Sequence, residues 1–206
     1  MRFVSKCWGE KMKLNKSKLY FISGIFVVLL VGGFFLLDYK TPKTAVKESS
    51  KVTSESKFAY LSNANTNFCA KADFINLKSD DERLQGSCCS KMDFHRYNEQ
   101  VEGLKKYSNI DKIPSDPYDI PVSLAKELLA YKNTIKLTAE QQMIYDEAME
   151  MSHEGGPCCC KCWRWDAFEG LAKYLITEYG FNSEQIADVW DLADGCGGKG
   201  HEHGAA

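Results

Sequence analysis

Residues 155–180 read GGPCCCKCWRWDAFEGLAKYLITEYG, and the order of those residues decides the fold class: a glycine stop, a crowd of thiols, then an amphipathic run. Trp165, Phe168, Leu171, Ala172 and Leu175 fall at three- and four-residue spacings. That is the stripe of a helix packed on one side. Gly180 offers the left-handed stop that ends it. Upstream, LTAEQQMIYDEAMEM opens with Thr138 and carries Gln141 three positions on, a capping box. Met143, Ile144, Ala148 and Met151 continue its stripe, and Gly155 and Gly156 stop it. Downstream, NSEQIADVWDLAD predicts a short helix capped by Asn182 or Ser183. Its Ile186, Val189, Trp190 and Ala193 face back onto the previous helix.

The same reading extends toward the N-terminus. CSKMDFHRYNEQVEGLKKY places Met92, Phe94, Tyr97, Val101, Leu104 and Tyr107 on one helical face. SDPYDIP interrupts the chain, and Pro121 suits the first turn of the next helix, PVSLAKELLAYK. Residues 58–86 show no clear period. No repeat and no run of alternating strands occurs. The expectation is an all-α domain of four to five helices with a Cys-rich loop.

Ahead of that domain stands LYFISGIFVVLLVGGFFLL, residues 19–37, with no charge. As a helix it spans roughly 28 Å, against a bilayer hydrocarbon core of about 30 Å. A cleaved signal peptide is the competing reading, but its apolar region is shorter and ends at small residues. The expectation is an uncleaved single transmembrane anchor. Basic residues are nearly balanced across it, Arg2 to Lys18 before and Lys40 to Lys57 after. The tight cluster in residues 1–18 resembles the n-region of a signal anchor, so that end is expected inside the cell and the C-terminal domain outside. Met12 is expected to be the true start, which would leave Cys7 unmade. Residues 38–57 are rich in Lys, Ser, Thr and Glu and lack large apolar side chains. They read as a disordered tether, since little buried surface offsets the ordering entropy. The working domain is residues 58–206. A net charge of -2 gives no basic face for nucleic acid, which is excluded as a partner.

Nine cysteines are many for 206 residues, and four lie in residues 158–162. Cys158, Cys159, Cys160 and Cys162 sit in a loop that feeds a helix N-terminus. Amides and the helix dipole there favour thiolate, the form that binds metals and attacks disulfides. Neighbours on an extended segment point opposite ways. Cys158, Cys160 and Cys162 are therefore expected to act together, with Cys159 turned away toward another partner. Cys159 and Cys162 also form a CxxC pair. Further candidate metal ligands are Cys88, Cys89 and His95, with Met92 on the helical face of His95. His153 precedes the loop, and Cys196, His201 and His203 close the chain. Trp163, Trp165 and Trp190 read as packing residues, with Trp163 able to shield a bound ion. Glu154 and Asp166 read as solvated or helix-end charges.

Residues 157–162, Pro-Cys-Cys-Cys-Lys-Cys, carry the spacing Pro-Cys-x-Cys-x-Cys. This resembles the signature of the PCYCGC-motif family of bacterial surface-anchored proteins. Cys159 stands where that motif has tyrosine, and Lys161 where it has glycine. The helix–Gly–helix AKYLITEYGFNSEQIADVWD is also similar. The later CxxC and the lipid-attachment cysteine of the family are missing here. The resemblance implies a surface-exposed, metal-associated protein with Cys158, Cys160 and Cys162 as motif cysteines.

Three functions fit this pattern. Clustered Cys with Met and His suits a soft metal ion, Cu(I) ahead of Zn, because structural zinc more often shows two separated CxxC pairs. Such a protein would buffer, deliver or sense metal, with a metal-transfer protein as a possible partner. An even number of extracytoplasmic cysteines also fits a disulfide-stabilised interaction domain. Cys159 and Cys162 would serve a thiol-disulfide oxidoreductase, although no βαβ pattern surrounds them. No hydrolase constellation and no phosphate loop is present, so binding is expected rather than catalysis.

Overall fold

The structure is a computed structural model that describes residues 53–199. The chain enters with helix α1 (Ser54–Leu61), capped by the Thr53 hydroxyl, which accepts from the Ser56 amide. One turn, α2 (Asp73–Asn76), and strand β1 (Arg83–Gln85) follow. Helix α3 (Phe94–Leu104) runs into a 3-10 turn at Lys105–Tyr107. Strand β2 (Asp119–Pro121) leads into α4 (Val122–Thr134), then α5 (Ala139–Met151), α6 (Trp163–Tyr179) and α7 (Ser183–Leu192).

The local signals account for most of these limits. The Thr138 and Asn182 capping boxes both form, with Gln141 and Gln185 reaching back to the cap amides. Gly180 ends α6 at φ 65, ψ 33. The core lies where α4 and α6 run side by side, with Leu128, Phe168, Leu171 and Leu175 wholly buried. Tyr131 stacks on Tyr174 across the pair, ring centroids 4.9 Å apart. The close approach depends on Gly170, where an added Cβ would stand 1.9 Å from the Leu128 carbonyl oxygen. Helices α5 and α7 pack through Tyr145 and Trp190, whose centroids are 5.4 Å apart. Trp190 Nε1 donates to the Phe168 carbonyl at 3.1 Å, locking α7 to α6. A smaller core of Leu61, Tyr97 and Tyr118 joins α1 to α3.

Several expectations change. The described domain is mostly helical rather than all-α: β1 and β2 pair antiparallel, with Leu84 opposite Ile120. Both side chains are wholly buried, but each strand is three residues, too short to show alternation in sequence. Helix α1 begins at Ser54, so the last residues of the expected tether are helical. Pro121 closes β2 and is the cap of α4, at ψ 138, rather than part of its first turn. Helix α3 starts only at Phe94, because the Asp93 carboxylate accepts from the Arg96 amide and caps it there. Among the described residues no helix is long and apolar enough to cross a membrane. The expected anchor, the basic N-terminus, Cys7 and Met12 lie outside them.

Candidate metal centre

Four loops meet at the N-terminus of α6 and bring together Cys69, Cys88, Cys89, Cys158, Cys159, Cys160, Cys162 and Cys196. All eight are free thiols. The loops are held by hydrogen bonds that do not involve the cysteine sulfurs. The Trp163 amide donates to the Ala70 carbonyl at 2.8 Å, and its indole N–H donates to the Asn67 side chain at 3.0 Å. Those two bonds set Cys69 against Cys160. The C-terminal loop pairs with residues 88–91: Cys88 N–H donates to Gly195 O at 3.1 Å and Ser90 N–H to Cys196 O at 2.8 Å. Gly197 sits at φ +83, where a Cβ would stand 2.2 Å from Ser90 O, so only glycine allows that contact.

The sulfurs form one connected group. Cys89 Sγ stands 4.0 Å from Cys159 and 3.8 Å from Cys160. Cys88 lies 3.6 Å from Cys89 and 3.8 Å from Cys196. Closer still are Cys158 to Cys196 at 3.2 Å, Cys69 to Cys160 at 3.0 Å and Cys159 to Cys196 at 2.9 Å. Two thiolates on one tetrahedral ion, with metal–sulfur bonds of about 2.3 Å, stand about 3.8 Å apart. A disulfide holds its sulfurs at about 2.05 Å. Cys196 has three sulfur neighbours, more than one disulfide can serve, whereas a metal-bridging thiolate serves several. Ligand atoms within 4.8 Å of one another form the sets Cys69–Cys89–Cys160, Cys88–Cys89–Cys196, Cys158–Cys159–Cys160 and Cys158–Asp194–Cys196. The arrangement can hold a metal ion.

Electrostatics sort the sulfurs. Hydrogen bonds from Cys162, Cys196 and Cys88 pull the Cys158 thiol well below its ordinary pKa, and the Cys160 amide adds to this. The same contacts with Cys158 raise Cys88, Cys162 and Cys196. Burial pushes the Cys159 thiol up to about 12 and raises Cys160 as well. The contacts that draw Cys158 toward thiolate hold the protons of Cys88, Cys162 and Cys196 in place. Metal uptake must expel those protons, so affinity should rise with pH. A pH indicator in weak buffer should report acidification as metal is added, and no change would show that these thiols take no part.

Arg164 is the positive counterpart. It is wholly buried, between the Trp163 and Phe168 rings at 5.1 and 5.3 Å. It donates to Ala193 O at 3.0 Å and Pro117 O at 2.7 Å, and its Nε has no hydrogen-bond partner among the described residues. Burial opposes its charge, but Cys88, Cys158, Asp194 and Cys196 outweigh burial and raise its pKa. A buried guanidinium needs nearby negative charge. Here Cys158, drawn toward thiolate, and Asp194 supply it.

The expected grouping holds in part. Cys159 meets Cys89 and Cys196, two of the partners open to it, but residues 159–162 bend, and Cys162 belongs to none of the ligand sets found among the described residues. Cys158, Cys159 and Cys160 share one group. No sulfur contact joins Cys159 to Cys162 among the described residues, and the expected exchange pair has no geometry here. Cys88, Cys89 and Cys196 arrive as expected. His95 is exposed and belongs to none of the ligand sets found among the described residues. His153 faces Asp191 instead, Nδ1 to carboxylate 3.5 Å, away from the sulfurs. Met92 packs on Leu61, Tyr97 and Tyr118. His201 and His203 lie outside the described residues. Asp166 is a helix-end charge, in the first turn of α6, and pairs with Lys132. Sequence reasoning missed Cys69, Arg164 and Asp194. The one available signal for Cys69 was the even count of cysteines after residue 57.

Comparison of the chain with protein-family models, curated proteins and solved structures returns no match.

Proposed function

We propose that the protein is a soft-metal binder that holds Cu(I), with Zn the alternative, in a polynuclear thiolate cluster. The carrying observation is the sharing of sulfurs. Cys89, Cys158, Cys160 and Cys196 each belong to two of the ligand sets. Cu(I) accepts two or three thiolates and tolerates bridging sulfurs, whereas zinc asks for four ligands in a closed tetrahedron. Three of the sets are sulfur only and none offers four ligands. The uncharged run at residues 19–37 supports a single-pass anchor that displays the cluster outside the cytoplasm, where it buffers or delivers metal to a transfer protein. The Pro-Cys-x-Cys-x-Cys spacing supports kinship with PCYCGC-motif surface proteins.

The test is anaerobic titration of the reduced chain with Cu(I), followed by desalting, metal analysis and X-ray absorption. More than one Cu(I) per chain in sulfur-only, three-coordinate sites is the expected result. Retention of zinc alone, in four-coordinate sites, would move the reading to that ion, and retention of neither would end it. The close pairs Cys69–Cys160 and Cys159–Cys196 favour one competitor, a disulfide-stabilised domain. Peptide mapping of the unreduced native protein would show two such bridges if that reading holds.

A further inference from the structure

The sulfurs differ in how they meet water. Cys158, Cys162 and Cys196 are 1%, 3% and 5% exposed, while Cys69, Cys89 and Cys159 are exposed. Two of the exposed thiols converge on one point: Cys69 and Cys89 stand 3.0 and 3.8 Å from Cys160. A recess of about 300 Å³ opens onto that point, lined by Cys69, Ala70, Lys71, Cys160, Lys161 and Cys162. Buried Cys162 also lies on its lining. Lys71 and Lys161 are exposed on its wall. The Lys71 ammonium donates to the Lys161 carbonyl at 2.7 Å, and the Lys161 ammonium lies 5.2 Å from the Trp165 ring. The contacts of these two ammonium groups are to a carbonyl and a ring rather than to a carboxylate. Two positive charges therefore stand at the mouth of the sulfur cluster.

We propose that Cys69, Cys89 and Cys160 form the port through which Cu(I) enters and leaves, and that the ion arrives as an anionic complex with a small thiol. The proposal rests on the Cu(I) reading above. Lys71 and Lys161 attract the anionic complex, and the exposed sulfurs make the first exchange. In each exchange one Cu(I)–S bond to the carrier breaks as one to a protein sulfur forms. The proton of the protein thiol passes to the departing carrier thiolate. Copper stays Cu(I), and no electron moves. Cys160 belongs both to the port and to the set with Cys158 and Cys159, so the ion moves inward by trading one sulfur at a time. Inner ions are retained because a competing ligand must reach the metal to begin displacement, and burial denies it access.

The test uses the full chain, reduced and under argon, loaded with Cu(I). A chromophoric Cu(I) chelator added to wild type should withdraw copper in a fast phase and a slow phase. The Cys69→Ser chain, altered at an exposed sulfur that belongs to the port set alone, should lose the fast phase and keep the slow one. Loading from a Cu(I)–glutathione complex should become on the order of tenfold slower at low salt in Lys71→Gln/Lys161→Gln, as expected for lost electrostatic steering. Loading from the Cu(I)–acetonitrile complex, a cation, should not be slowed by the lysine substitutions. A single release phase in wild type, loss of the slow phase in the cysteine variant, or equal slowing from both copper sources would overturn the port. Wild type that takes up no Cu(I) from either source would instead overturn the metal reading itself.

Discussion

Gly170→Ala should unfold the protein at far lower denaturant than any exposed substitution, with a loss of more than about 3 kcal/mol. The added methyl carbon would stand 1.9 Å from Leu128 O and 2.8 Å from Lys132 N. Both are backbone atoms of α4, so no rotamer change relieves the clash. The helices must separate, and Leu128, Leu171 and Leu175 lose their packing together. Gly155→Ala is the control. Its Cβ would meet nothing within 4 Å, and the residue lies at φ +66. The cost there is confined to left-handed backbone strain, about 1–2 kcal/mol. Urea unfolding of the two variants side by side reads the difference. Equal losses would show that the α4–α6 contact yields easily. Because Cys162 caps α6, Gly170→Ala should also weaken metal retention, whereas Gly155→Ala lies on the loop side and tests that coupling separately.

Arg164→Met should lower Cu(I) affinity by about 10–100-fold, the size expected when a group supporting a metal site is removed. Methionine fills a similar apolar volume between Trp163 and Phe168 but removes the buried positive charge. It also leaves Ala193 O and Pro117 O without their donors, each costing about 1–3 kcal/mol. Arg164→Lys separates charge from packing. Lysine restores the charge but not the two-armed contact to both carbonyls. If charge compensation of the thiolates sets affinity, lysine should recover much of the loss in a competition titration while stability stays reduced. If methionine and lysine bind copper equally, the guanidinium serves packing alone. Gly195 belongs to the same argument, since a Cβ there would stand 2.3 Å from Arg164 Nη2. The C-terminal loop that carries Cys196 is thus seated on the guanidinium.

The helices were legible because their limits are written locally. Thr138 with Gln141, and Asn182 with Gln185, satisfy amides within one turn of themselves. Gly180 ends α6 through its own backbone freedom. The short pieces were not legible. Strands β1 and β2 are specified by each other although even their nearest partners, Gln85 and Asp119, lie far apart in sequence, and α2 is one turn seated on Ile75. Cys88, Cys89 and Cys196 were recognisable as candidates by residue type, and so was the loop at 158–162. Histidines near cysteines in sequence misled: His95 faces solvent, and the His153 ring faces the Asp191 carboxylate.

Composition and local pattern by themselves determined that the domain is mainly helical, that thiols crowd the start of α6, and that these thiols are candidate metal ligands. Those conclusions depend on interactions among residues a few positions apart. Tertiary structure alone decided which sulfurs meet. Cys69 reaches Cys160 through the Trp163–Ala70 and Trp163–Asn67 bonds. Cys196 reaches Cys88 because Gly195, Gly197 and Gly198 let two loops pair backbone to backbone. The parity rule holds only for extended chain, and the loop bends: Cys159 meets Cys196, while Cys162 belongs to none of the ligand sets found among the described residues. Arg164 looked like an ordinary helix residue until folding buried it beside the thiols.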